Sequence, residues 1–135
     1  YKEAPVCAIK MEKVLDSGAI YHKKIVSLSG SLFEILDRIN DAVNVLIIKL
    51  IKNLPVPKPQ SGEVVFFRRL GERDNQINLN SNIEKFYDHI RMLDESSYPS
   101  AYLKLKNVIL HFDNITKINE ELNCRVKISQ RFKQK

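Results

Sequence analysis

No run of the sequence is apolar for long enough to cross a membrane, because Lys49 and Lys52 interrupt its greasiest stretch. Residues 1–10 lack a basic region followed by an apolar one, the pattern of a secretory leader. Both absences predict a cytoplasmic protein with no membrane partner. Cysteine is scarce. Cys7 and Cys124 match no metal-ligand spacing and sit in segments of alternating apolar character. They are expected to be reduced, buried thiols, with no metal site. The chain holds no internal repeat and no low-complexity segment.

What is present is the composition of a globular domain. The 135 residues are 44% hydrophobic and 28% charged, and such a length can bury a real core. The net charge of +6 suits an anionic partner such as a nucleotide or tRNA, without selecting one. Much of the excess is local: Lys127, Arg131, Lys133 and Lys135 crowd the C-terminus, as solvated tails do.

Periodicity gives the order of elements. Residues 5–11 and 18–28 read as strands. Ser31 and Glu34 form a capping-box pair ahead of a long helix reaching about residue 54. Its apolar set is Leu32, Ile35, Leu36, Ile39, Val43, Leu46, Ile47, Leu50 and Ile51, a wide stripe expected to be core. The three prolines of "LPVPKPQSG", residues 54–62, then force an extended path. Residues 64–68 are a strand candidate, and 69–80 are polar and irregular. A second capping-box pair, Ser81 and Glu84, precedes a shorter helix whose buried face is Ile83, Phe86, Tyr87, Ile90 and Leu93. After a turn at 97–100, residues 101–105 and 108–113 read as a hairpin around Lys106 and Asn107, and 122–129 as a third strand. The class is mixed α/β. A parallel sheet would need strands from elsewhere, which predicts a piece of a longer polypeptide.

Two motifs carry chemistry. "VLDSG" sets Asp16 in a tight turn between the first two strands, and an Asp before Ser-Gly also serves simply as a turn residue. Further on stands the pair Arg68 and Arg69. The ordered set Met11, Leu15, Asp16, Ser17, Gly18, Ile20, Gly30, Ser31, Pro57, Gln60, Gly62, Phe67, Arg68 and Arg69, with "FYDHIRMLDESSYPSAYLKL" at 86–105, resembles the 10-formyltetrahydrofolate-dependent formyltransferases. The likeness covers nearly the whole chain.

The resemblance implies a fold and a division. Residues 1–62 would be the C-terminal portion of a Rossmann-like catalytic sheet domain with its long helix, and 63–135 a small subdomain of helix and β-hairpin. It implies that Met11, Glu12, Lys13, Val14 and Leu15 lie beside the folate, and that Asp16 is one of three catalytic residues. The other two, an Asn and a His, lie upstream in the family, the His in a segment like H-x-S-x-L-P-x-x-x-G. No such segment occurs here, and His22, His89 and His111 all follow Asp16. The chain alone is therefore expected to be inactive. Leu70 and Gly71 also stand where the family has Thr-Pro after the Arg pair.

The last fifty residues are short for the barrel of a methionyl-tRNA formyltransferase, and "IRMLDESSYPSAYLKL" is similar to sugar N-formyltransferases. The expected acceptor is thus a nucleotide-linked amino sugar, with Tyr98 near it and Arg68 or Arg69 on an anionic group. Formyl transfer to tRNA and a non-catalytic binding module are the alternatives. The sequence leaves a homo-oligomer open.

Overall fold

In a computed structural model, which describes residues 1–130, the chain divides into two compact units. The first comprises Tyr1–Gly30 and Glu34–Phe67; the second comprises Ser31–Phe33 and the chain from Arg68 onward. Arg131, Lys133 and Lys135 of the basic C-terminal run lie outside the described residues.

The first unit is built on a two-stranded antiparallel ladder of β1 (Glu3–Ile9) and β2 (Ile20–Ser27). Residues 5–11 were expected as the strand. It ends at Ile9 instead, so Met11 stands in the β1–β2 loop. A register shift at Ala8/Ile9 marks that exit. The parallel sheet that a Rossmann-like reading implies is not found among the described residues of this unit.

α1 (Leu32–Lys52) follows. Gly30 has φ 84°, a left-handed conformation that favours glycine at this entry. Leu32, Ile35, Ala42 and Leu46 are buried and fall on one narrow line down the helix, at steps of three, seven and four residues. That is narrower than expected: Leu36, Val43, Ile47 and Ile51 are exposed. The 3.6-residue period gives the direction of the buried face but not its width, which depends on what packs against it.

After α1 the proline segment runs extended, and Lys58 joins Ile20 by a pair of backbone hydrogen bonds of 2.9 and 2.8 Å. The strand expected at 64–68 does not form. Val64, Val65, Phe66 and Phe67 are exposed and join no ladder among the described residues. Their β-propensity is high, but a strand exists only where a partner takes its hydrogen bonds.

The second unit holds a short 3-10 helix (Glu72–Asn75), α2 (Ile83–Arg91) and a sheet of β3 (Ala101–Lys104), β4 (Val108–Ile118) and β5 (Glu121–Gln130). The order is β3-β4-β5, antiparallel throughout, as the expected hairpin and third strand required. α2 is capped one residue later than expected. Asn82, not Ser81, accepts the Lys85 amide at 3.0 Å, and Asn is as good a cap as Ser. Glu84 reaches Lys117 on β4 in an ion pair.

Ile77, Ile90, Ala101 and Phe112 form the core of this unit, with Phe86, Leu93, Leu103, Leu110 and Ile115 packed against it. Cys7 and Cys124 are free, as expected, but both are exposed where burial was expected. Alternation put each on one side of a strand, and in each case that side faces out. No described helix is long and apolar enough to cross a membrane.

Candidate functional site

Asp16 lies in the loop of residues 10–18 that joins β1 to β2, and this loop is held at four points. At its base, the Lys10 amide donates to the Ala19 carbonyl at 2.8 Å. Gly18 lies so close that a Cβ on it would overlap the Lys10 carbonyl. Ser17 Oγ donates back to the Val14 carbonyl at 2.9 Å, closing the turn. Gln60 Nε2 donates to the carbonyls of Asp16 and Gly18 at 2.6 and 2.8 Å. Asp16 itself takes φ 56°, a left-handed conformation that Asp tolerates better than most residues. Each residue of "DSG" thus has a separate reason to be there.

The same loop carries Met11, Glu12, Lys13, Val14 and Leu15, all exposed. Met11 is 94% exposed and Leu15 90%. Lys10 Nζ pairs with Glu12 Oε1 at 2.9 Å, and that hydrogen bond with its charge attraction raises the lysine's pKa. Three apolar side chains held out on a fixed loop beside a carboxylate form a surface suited to a flat, partly apolar ligand. The histidines are elsewhere in the ladders and helices. His22 is on β2 opposite Ala8, and its Nε2 is buried with no hydrogen-bond partner. His89 Nε2 lies 3.1 Å from the Asn75 carbonyl, and His111 Nε2 lies 3.2 Å from Ser129 Oγ.

Arg68, Arg69 and Tyr98 belong to the second unit. Arg68 makes a two-pronged ion pair with Asp74, with Nη1 2.9 Å from Oδ2. The Gly71 amide donates to the same Oδ2 at 2.8 Å. The guanidinium and this amide together hold the Asp74 carboxyl down from 3.8 to about 2. Arg68 therefore braces its own loop, a use that the sequence did not suggest. The next residue, Asn75, is buried, and its Nδ2 donates to the Pro99 carbonyl at 2.7 Å. The 3-10 helix so ties Arg68 on one side and the Tyr98–Pro99 turn on the other. Arg69 and Tyr98 are exposed.

Sequence reasoning did not single out a cleft of about 520 Å3 in this unit, lined by Ile77, Leu79 and Leu103 with Arg73 and Lys104 as its cations. Its residues come from two distant segments that meet where the Ile77 amide donates to the Tyr102 carbonyl at 2.9 Å, and no local pattern announces that pairing. No group of three or more His, Cys, Asp or Glu side chains that could hold a metal occurs among the described residues.

Residues 72–129 match the family model for the C-terminal domain of methionyl-tRNA formyltransferase. The chain is similar to the C-terminal part of formyltransferases. A methionyl-tRNA formyltransferase of Thermodesulfovibrio yellowstonii is 29% identical over 108 residues, which are 76% of this chain and 34% of that protein. The solved methionyl-tRNA formyltransferase from Clostridium thermocellum superposes with a TM-score of 0.90 at 33% identity, over 96% of this chain and 58% of that one. The chain thus spans about a third of the first relative and somewhat over half of the second. Each of these formyltransferases is named for methionyl-tRNA, and none for a nucleotide sugar. The stretch that matches the C-terminal domain begins at 72, before α2, and so is longer than the last fifty residues.

Proposed function

We propose that the protein carrying this chain transfers a formyl group from 10-formyltetrahydrofolate to the amino group of methionyl-tRNA. The match of residues 72–129 to the C-terminal domain of methionyl-tRNA formyltransferase carries this reading. In it, the stretch 1–62 is the end of a catalytic domain and 63–135 a C-terminal subdomain. The formyl donor supplies an activated one-carbon carbonyl. Met11, Val14 and Leu15 give its ring system an apolar surface, on a loop whose geometry is already set by the Lys10–Ala19 and Ser17–Val14 bonds.

When the amine attacks the formyl carbon, it must lose a proton, and negative charge grows on the formyl oxygen. The Asp16 carboxylate takes that proton, directly or through water, and favours the charged form of a neighbouring imidazolium if one is supplied; the bond from the formyl carbon to the folate nitrogen then breaks, and the released proton goes to that nitrogen as tetrahydrofolate leaves. Its exposure at the loop tip leaves it reachable by an acceptor as large as tRNA. Arg73 and Lys104, which line the second unit's cleft, are cations of the kind that contact phosphates of such an acceptor.

The test is a direct comparison of acceptors. The full-length protein, given 10-formyltetrahydrofolate, is expected to formylate methionyl-tRNA and not a nucleotide-linked amino sugar, with tRNA affinity falling as salt rises. Formylation of the sugar alone would overturn the proposal.

A further inference from the structure

We infer that Gln60 is a positioning residue for Asp16, acting through the backbone of the catalytic loop; this rests on reading Asp16 as the catalytic carboxylate. Gln60 lies more than forty positions down the chain from that loop, within the proline segment. Its carboxamide nitrogen has two protons, and both are used, on the carbonyls of Asp16 and Gly18 at 2.6 and 2.8 Å. Those carbonyls flank Ser17 at the point where Asp16 takes φ 56°. A left-handed residue outside glycine needs its surroundings to hold it, and the clasp supplies this. The clasp is itself fixed. Lys58, two residues before Gln60, is bonded in both directions to Ile20, at the start of β2. Pro57 and Pro59 stiffen the backbone on either side of Lys58.

The proline segment is therefore more than a connection. It delivers one amide to two carbonyls of the loop that carries the carboxylate. Loss of the clasp would let Asp16 drift while leaving its chemistry intact, and misplacement by an ångström can cost about a hundredfold in rate.

Gln60→Glu is the most informative change, because it keeps the size and removes both donors at neutral pH. In the full-length protein it is expected to raise amide hydrogen exchange across residues 10–20 while sparing the rest. It should lower kcat roughly tenfold to a hundredfold with the tRNA KM unchanged. Acidification should return part of the loss, since a protonated Glu regains one donor. In an Asp16→Asn background the same substitution should add almost nothing, since both changes act on one group. If Gln60→Glu does not fold, Gln60→Asn gives the exchange, kcat and double-variant readings, because its amide is too short to span both carbonyls. Unchanged exchange at 10–20, or a kcat loss that multiplies in full with that of Asp16→Asn, overturns the positioning role. Raised exchange with Asp16→Asn fully active instead sinks the catalytic reading of Asp16, and the positioning role with it, and leaves Gln60 a structural clasp.

Discussion

Asn75 donates its side-chain amide to the carbonyl of Pro99 at 2.7 Å, and so fixes the Tyr98–Pro99 turn to the 3-10 helix that also anchors Arg68. Asn75 is buried, and its own carbonyl is 3.1 Å from His89 Nε2 on α2. One residue thus connects three segments that are distant in sequence. Asn75→Ala removes the donor and leaves the Pro99 carbonyl unsatisfied, at a cost of about 1–3 kcal/mol. Urea denaturation should show that loss. A change within error would mean that water replaces the amide at this site.

Arg68 and Asp74 predict a pH signature. Because the folded state depresses the Asp74 carboxyl to about 2, its contribution is complete above the ordinary value near 3.8 and is lost as pH falls through about 2. Arg68→Ala should therefore lower the thermal midpoint at neutral pH, and the gap from wild type should close in that acid window. Arg68 is exposed, so the effect should be small. A gap that persists unchanged at pH 2 would assign it to something other than this ion pair.

Leu46 and Ile47 are neighbours on α1 with opposite surroundings: 3% and 48% exposed. Leu46→Ala should cost about 2–5 kcal/mol. Ile47→Ala should stay within about 1 kcal/mol, helped by the better helix propensity of alanine. Equal costs at the two positions would show that the outer side of α1 is covered in the protein as measured.

How much of this was legible in the sequence follows from the range of the interactions involved. Period and caps located α1 and α2, because i to i+4 spacing and N-cap chemistry are local, although Asn82 and not Ser81 proved to be the cap. The β3–β4–β5 meander was legible because short turns pair neighbouring strands. Residues 64–68 were misread because their strand-like composition has no partner to pair with. The width of the α1 stripe and the exposure of Cys7 and Cys124 depend on what faces them, which no local pattern encodes. At the site, "VLDSG" exposed Asp16 by its resemblance, and the match also included Gln60. Its two hydrogen bonds to the loop join positions 44 and 42 residues apart, and only the fold displays that.

Gly18 offers a further check on the loop. A Cβ there would overlap the Lys10 carbonyl, and backbone on both sides cannot move aside cheaply. Gly18→Ala should destabilise by about 1–3 kcal/mol and weaken folate binding, since the Lys10–Ala19 bond closing the loop must lengthen. Differential scanning calorimetry with a folate titration reads both effects. An alanine variant with wild-type stability and folate affinity would show that the loop relaxes freely and is not pre-set.

The most direct measurement is the turnover of Asp16→Asn in the full-length protein, with 10-formyltetrahydrofolate as donor and methionyl-tRNA as acceptor. The side chain is exposed and of equal size, so folding and tRNA binding should be preserved. Loss of a positioned proton acceptor should reduce kcat by about a hundredfold or more. Turnover near that of the wild type would contradict the account, because the loop that the Lys10–Ala19, Ser17–Val14 and Gln60 bonds hold in place would then carry no catalytic group.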